Sequence, residues 1–226
     1  MMTYIDEYMY LDEVEPIQLD KLLARAWRHF GISFYRYSVS MHSHGLCHVV
    51  PLRIRLADFS LSRSQRRILA RNGDLEVVVR PSGIDQEKAD LFARHKQRFR
   101  ENVPASIYDF MSPVPASVPC RNDEIRLHRE GVLLGVSFLD IGHKAASAVY
   151  AMFEPAESAR SLGIQLILSG IDYAKRLNLQ YYYLGYAYQE PSFYDYKKRF
   201  SALEAFDWVG GWRRYGREDG PRGGVE

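Results

Sequence analysis

The sequence predicts an α/β chain of the α+β kind, in which a mixed sheet flanked by helices is joined to an N-terminal α/β half. Three observations predict it. Amphipathic stretches with apolar residues three and four apart alternate with short β-branched and aromatic runs along the 226 residues. The second half runs strand, strand, strand, helix, strand, segment, strand. A hydrophobic content of 46% beside 26% charged residues is that of a globular chain, and this length is ample for a buried core.

The first element is an arm. Residues 1–20 carry Asp6, Glu7, Asp12, Glu13, Glu15 and Asp20 without a Lys or Arg, and residues 1–15 are assigned to an acidic arm. Pro16 suits a first-turn position. Leu19, Leu22, Leu23, Ala26 and Phe30 then form one apolar face, and Gly31 supplies the stop, so a helix is predicted over 16–30. Strands are predicted over 32–39 and 48–56, with a loop over 40–47. Ser62-Arg63-Ser64-Gln65 is a capping-box pattern opening a helix that Gly73 ends near Asn72. A Val-rich strand covers 75–80, and Asp85 caps a helix running to about Asn102. Pro104, Pro113, Pro115 and Pro119 mark a boundary between an N-terminal half, 16–120, and a second half, 121–212. In the second half strands are predicted over 124–129, 132–141 and 145–153. A helix over 158–177, a strand over 180–186 and a terminal strand near 205–209 follow. The tail, 213–226, is rich in Gly and Arg and reads as flexible.

That strand and helix order resembles the catalytic half of acyltransferases of the GNAT type. There a splayed pair of strands opens a cleft for an acyl donor, and the next helix points its N-terminus at negative charge. Arg160 and Gly163 partly match the coenzyme A loop of those enzymes. An acyl-CoA-dependent N-acyltransferase is therefore the alternative reading.

Composition narrows the function. The net charge is only +2, yet residues 53–100 carry twelve Lys and Arg against six Asp and Glu, a net of +6, which points to a polyanionic partner. Two cysteines, Cys47 and Cys120, make no disulfide framework. No basic segment followed by an apolar run opens the chain, and no stretch approaches the ~18 apolar residues of a membrane span. A cytoplasmic location without a membrane partner is the expectation.

Four clusters carry chemistry. Arg63, Arg67 and Arg71 form one stripe with Arg66 beside it, and such a stripe matches nucleic-acid phosphates. Tyr181-Tyr182-Tyr183-Leu184-Gly185-Tyr186 is a strand with more hydroxyls than a core requires. Gly185 lets its backbone bend or approach a ligand. Tyr194-Asp195-Tyr196-Lys197-Lys198-Arg199 sets cations beside aromatic rings, as a carboxylate or phosphate site would. His42, His44, Cys47 and His48 lie close together without a standard metal spacing, so no metal and no cofactor is assigned.

Taken together, these residues resemble the arginyl- and leucyl-tRNA–protein transferase family from about Leu19 to Trp212. Four pieces carry the likeness. They are Leu22-Leu23-Ala24-Arg25-Ala26-Trp27-Arg28-His29-Phe30-Gly31, Pro51-Leu52-Arg53-Ile54 with Ser62-Arg63-Ser64-Gln65-Arg66-Arg67, Ser147-Ala148-Val149-Tyr150 with Phe153-Glu154-Pro155, and Tyr181 through Tyr186 running on to Tyr196-Lys197. The resemblance implies a GNAT-like catalytic half and an N-terminal half that helps hold the tRNA acceptor end. It also implies the reaction, in which the α-amine of a protein beginning with Asp or Glu attacks the ester of aminoacyl-tRNA, arginyl or leucyl. The product's new N-terminus marks it for degradation as an N-degron.

On this basis Arg63, Ser64, Gln65, Arg66, Arg67, Arg71 and Arg160 are the expected tRNA contacts. Lys197 and Lys198 are expected at the acidic acceptor. Glu154 is expected to take the amine proton, and Tyr183 or Tyr186 to serve the leaving ribose oxygen. The chain departs from the family twice. The N-terminal cysteine clusters that hold zinc or an iron–sulfur cluster have no counterpart, and Glu154 stands where Asp is usual before Pro.

Overall fold

A computed structural model describes residues 4–42, 45–99 and 103–216. Pro16 opens α1 (Pro16–Ala24), which buries Leu19 and Leu23. The helix ends six residues before the predicted last residue, Phe30. Ala26 takes a left-handed backbone at φ 66°, and Arg28 and His29 then follow a strand period instead of a helical one. The strand β2 (Arg28–Phe30) turns back through Gly31, at φ 51°, and pairs with β3 (Ser33–Tyr37). The expected acidic arm contains β1 (Asp6–Tyr10), paired antiparallel with β3 and clamped by a Glu7–Arg36 ion pair at 2.7 Å. These three strands form a small sheet in the order β1-β3-β2.

The predicted loop over 40–47 includes part of a hairpin between β4 (Val39–His42) and β5 (Gly45–Arg55). Ser62 and Gln65 close the capping box of α2 (Arg63–Arg71), as the sequence predicts. Next come β6 (Glu76–Pro81) and α3 (Gln86–His95), whose cap is Asp85; the helix stops short of the predicted end near Asn102, itself outside the described residues, because a 3-10 turn (Lys96–Arg98) follows and Phe99 is extended. The second half supplies β7 (Asn122–Arg129), β8 (Val132–Ile141), β9 (Ala145–Phe153), α4 (Leu162–Arg176), β10 (Tyr181–Tyr188), β11 (Leu203–Phe206) and a strand the sequence did not signal, β12 (Trp212–Arg214). Most of the predicted flexible tail, residues 217–226, lies outside the described residues.

The large sheet has the order β12-β11-β5-β10-β9-β8-β7-β6, with β4 added on β5. The proline passage is therefore no border between two bodies, because β5 and β6 from the first half sit within one sheet with the second. β5 is buried from Val49 through Ile54, which is the signature of an inner strand covered on both faces. Its neighbour β10 comes from more than a hundred residues later. Such long-range pairing leaves no local trace in sequence.

Alternate residues of β10 serve two layers. Tyr182 and Leu184 face α4 and the main core with Leu162, Leu166 and Ala174. Tyr181 and Tyr183 pack on the other side with Leu19, Leu23 and Phe34 of the N-terminal elements. A Cβ at Gly170 would lie 2.5 Å from the Tyr182 hydroxyl, so glycine is what lets α4 rest against that ring. A buried polar chain pins the small sheet to the large one. The Ser82 hydroxyl donates to Asn122, the Asn122 amide donates to Asp140 at 2.9 Å, and His29 Nε2 meets the other Asp140 oxygen at 2.9 Å. His29 Nδ1 lies 2.8 Å from the Gly31 carbonyl. Both ring nitrogens face oxygen acceptors, so each is placed to donate. No helix among the described residues is long and apolar enough to cross a membrane.

Candidate active site at the strand splay

Among the described residues β9 and β10 are the one parallel pair in the large sheet, and they pair only from Ala145/Tyr181 to Ser147/Tyr183. Beyond that point β9 continues to Phe153 beside β8, while β10 continues to Tyr188 beside β5. Each strand is irregular just where they part. The β8–β9 register shifts between Phe138 and Leu139, and the β5–β10 register shifts between Tyr183 and Gly185. Gly185 has φ 83°, a conformation that suits glycine. Bulges turn strands in this way beside functional sites.

A splay strands backbone carbonyls that a neighbouring strand would otherwise satisfy. Two cations meet them here. Arg28 of β2, buried, donates to the Ser147 hydroxyl and to the Ala148 carbonyl on β9. Lys197 Nζ, from a 3-10 segment (Phe193–Arg199), donates to the Tyr186 carbonyl on β10 at 2.8 Å. A Cβ placed on Gly185 would be 3.5 Å from both Arg28 Nη2 and Lys197 Nζ, so both cations border one point. Burial, then Arg28, lowers Lys197 to about 7.

Aromatic rings wall this point. Tyr186 meets Tyr37 edge-on at 5.2 Å and Tyr35 at 6.1 Å, and Tyr35 stacks on Tyr37. Tyr194 lies under Lys197 Nζ, 4.7 Å from the ring centre. Burial raises the phenols of Tyr35, Tyr37 and Tyr186, and pushes Tyr196 up to about 12, so these rings stay neutral near pH 7. On β9, Tyr150 stacks on Phe110 at 4.0 Å. His95 accepts from the Phe153 amide at 3.1 Å, and burial lowers it to about 4, so it is neutral too.

The residues singled out in the sequence fall into three groups. Arg63, Arg66, Arg67 and Arg71 are exposed on α2, although Arg66 also donates to the Leu61 carbonyl and Arg71 to that of Ala159. Ser64 is exposed, whereas Gln65 is buried and turned back on the Ser62 amide as part of the cap. Arg160 spends its guanidinium on Asp74, at 2.8 and 2.9 Å, and on Glu157 at 2.9 Å. Lys197 reaches the splay, but Lys198 turns away to Asp195 at 2.7 Å.

The three expected catalytic side chains have partners within the fold. Glu154 ends β9, accepts from Arg94 at 2.6 Å and caps the Ala156 amide. The Tyr183 hydroxyl accepts from Arg53 at 3.1 Å, and the Tyr186 hydroxyl donates to the Ala26 carbonyl at 2.7 Å. Arg53 itself lies between the Tyr181 and Trp212 rings, 3.9 and 4.3 Å from their centres, and binds Glu204. Arg28 went unassigned in the sequence because it fell inside the predicted helix. An arginine followed by His-Phe-Gly was the available signal, read in strand period.

The metal question turns on donors. Of the histidine-rich segment, His44 and the His42 side chain lie outside the described residues, while His48 is paired with Glu190 at 2.5 Å. His29, Cys120 and Asp140 place one ligand atom each within 4.8 Å of one another. His29 and Asp140 are committed to each other, and burial, then Asp140, raises the Cys120 thiol. Three donors fall short of a closed zinc site, and two cysteines cannot hold an iron–sulfur cluster. Among the described residues, the donors do not fit the centre carried by the resembled family. An open depression lined by Arg55, Lys175 and Gln180 lies at the opposite end of β10 and brings no converging reactive groups.

With this geometry in view, known proteins are informative. The family described as "Arginine-tRNA-protein transferase, C terminus" matches residues 87–207. An aspartate/glutamate leucyltransferase of Pseudoalteromonas atlantica is 33% identical over 205 residues, covering 88% of this chain and 85% of that one. One from Pseudomonas aeruginosa is 35% identical with the same coverage. One from Acinetobacter baumannii is 31% identical over 97% of this chain and 79% of its own length. Among solved structures, FemX superposes with a TM-score of 0.53 at 11% identity, covering 89% of this chain and 70% of that chain. That likeness is one of fold alone, a mixed sheet flanked by helices, as the sequence predicts.

Proposed function

The chain belongs to the arginine-tRNA-protein transferase family, and from that premise we propose that it moves leucine from leucyl-tRNA onto proteins that begin with Asp or Glu. That it is an aminoacyl-tRNA–protein transferase follows from the family. The donor, the acidic acceptor, the cytoplasmic setting and the marking of the product as an N-degron are our reading. The relatives' names support the first two.

One observation in the geometry carries the acceptor choice. The splay is lined by a permanent cation, Arg28, with the Lys197 amine beside it, and no salt bridge among the described residues gives Arg28 a carboxylate. Arg28 uses two nitrogens on Ser147 and Ala148 and keeps three N–H donors free of them. An Asp or Glu side chain at an acceptor's N-terminus would supply the missing charge. Lys198, paired with Asp195, takes no part in this reading.

The ester of aminoacyl-tRNA is already activated, so positioning and charge placement do most of the work. The neutral tyrosine wall offers faces on which the terminal adenine can stack. Arg63, Arg66, Arg67 and Arg71, with Ser64 between them, track phosphates further along the acceptor stem. Arg160 and Gln65 support that surface by holding the α2 and α4 turns. Tyr186 and Tyr183 set the position of β10 against Ala26 and Arg53, and Glu154 sets Arg94 at the rim.

The test is transfer of label from tRNA charged with one radiolabelled amino acid at a time to peptides beginning with Asp, Glu or Ala. We expect transfer from leucyl-tRNA to the Asp and Glu peptides alone. Equal transfer to the Ala peptide, or transfer from another donor only, would overturn this reading. Arg28→Met should lower kcat/KM for the acidic peptides by at least tenfold, the worth of one charge-assisted hydrogen bond.

A further inference from the structure

Lys197 is the titratable group whose position the reaction as described so far does not use. Its amine sits where β9 and β10 part, held by one hydrogen bond to the Tyr186 carbonyl at 2.8 Å. A neutral amine can donate that bond and still present its lone pair to the cleft. The surroundings favour the neutral form for a reason that geometry alone supplies. Lys197 Nζ and Arg28 Nη2 both lie 3.5 Å from the point a Gly185 Cβ would occupy, so two cations share one small space. Like charges that close disfavour double ionisation, and the guanidinium cannot give up its proton. Lysine is the one that yields.

The charged and titratable groups around Lys197 agree. Arg28 faces it from β2, Tyr194 faces it from its own segment, and β10 offers a main-chain oxygen. The carboxylates nearest in sequence are engaged elsewhere: Asp195 with Lys198 and the Ser192 amide, Glu190 with His48. Glu154, the carboxylate at the end of β9, is bound by Arg94.

We propose that Lys197 is the proton acceptor of the transfer step, taking a proton from the acceptor's α-ammonium beside the ester of the charged tRNA. This rests on the reading above that aminoacyl-tRNA is the acyl donor. The α-ammonium gives one proton to the Lys197 amine, and the freed lone pair forms the C–N bond at the ester carbonyl. The C–O bond to the tRNA ribose breaks, and its oxygen takes the second proton that the nitrogen loses. Lys197 then returns its own proton to water. The lowering of Lys197 to about 7, by burial first and then by Arg28, places this exchange near neutral pH. Gly185 keeps the meeting point open, because any side chain there would touch both cations.

The experiment is the pH profile of kcat/KM for transfer to an acidic-start peptide, between about pH 5.5 and 9, for the wild-type chain, Lys197→Arg and Lys197→Met. The wild type should gain about tenfold per pH unit below 7, with any second limb lying above it near the acceptor ammonium's own value, about 8. That limb should stay near 7 when the acceptor peptide is exchanged for one with a less basic amine. Both variants should lose at least about a hundredfold at pH 7.5, with the limb near 7 gone, while tRNA affinity stays within threefold. Lys197→Arg within tenfold of wild type, with its limb unmoved, would show that only a charge is needed and overturn the assignment. A wild-type limb that tracks the acceptor amine would overturn it as well, without reliance on any variant's folding. If the wild type transfers from no charged tRNA at all, the donor reading falls and this assignment with it.

Discussion

Replacing Asp140 by Asn tests whether the small sheet is held to the large one by a charged clasp. Asp140 is 1% exposed, and His29 is 5% exposed. The direction of every hydrogen bond in the chain is set. Ser82 donates to the Asn122 oxygen, which forces the Asn122 nitrogen toward Asp140, and Gly31 offers His29 only a carbonyl. Asp140 must therefore accept on both oxygens. An Asn at this place brings an NH2 group to one of two donors and leaves the His29 charge buried without a counter-ion. Breaking a buried pair in this way costs about 3–5 kcal/mol, or two to nearly four powers of ten in the folding equilibrium. Urea unfolding of wild type and Asp140→Asn at pH 7 measures it. Burial raises the Asp140 carboxyl, but His29 and the hydrogen bonds outweigh it and leave it below its usual value. A lowered carboxyl stabilises the fold above its unfolded value, about 3.9, and that contribution is lost as pH falls through the lower folded value. The gap between the two proteins should thus be full at pH 7 and close in acid. A difference under about 1 kcal/mol at pH 7, or one that does not shrink in acid, would refute the clasp.

Other expectations follow from single contacts. Gly170→Ala should lower stability by about 1–3 kcal/mol in thermal unfolding, because its Cβ would meet the Tyr182 hydroxyl at 2.5 Å. Tyr182→Phe should by itself cost little, since that hydroxyl has no partner among the described residues, and it should partly rescue Gly170→Ala. Glu154→Gln should keep transfer within about tenfold and lower the melting temperature by a few degrees, since its carboxylate is a cap and an Arg94 partner; a loss of a hundredfold or more would restore Glu154 as the base. Arg66→Ala with Arg67→Ala should weaken tRNA binding and flatten the salt slope by about 1.4–1.8, and an unchanged slope would remove α2 from the interface.

Local rules made much of this architecture legible. The Ser62–Gln65 box, the Asp85 cap and the seven-element order of the second half were all present as spacing and turn chemistry, and each was found near its predicted place. What failed was non-local. Residues 16–30 carry a helical period that tertiary pairing cuts short, because β2 gains more by pairing with β3 than α1 would by another turn. The acidic segment reads as an arm because its charges dominate and its strand, Asp6–Tyr10, is mostly exposed and gains its structure only by pairing with β3. At the site, Lys197 and the tyrosine run announced themselves as dense polar and aromatic clusters. Arg28 did not, since a lone arginine becomes functional only when the chain returns 119 residues later with Ser147.

The same geometry weighs between the two acyl donors that a GNAT-like fold can serve. An acyl-CoA enzyme needs the N-terminus of the helix after the splay open for a pyrophosphate. Here that end is occupied. The Gly163 Cβ position lies 3.0 Å from the Phe153 ring, so the ring covers the first turn of α4. Arg160, which would meet a phosphate, is neutralised by Asp74 and Glu157, and Glu157 is also bound by Arg129. With its cations paired to two carboxylates, the turn has no net charge to gather a pyrophosphate. Among the described residues, positive charge without a carboxylate partner lies elsewhere, on exposed α2 and in the splay at Arg28. An extended polyanion that ends in an ester meets both, with its phosphates at α2 and its reactive carbonyl at the splay. A short soluble cofactor meets neither. Charged tRNA is the donor that this distribution of charge fits.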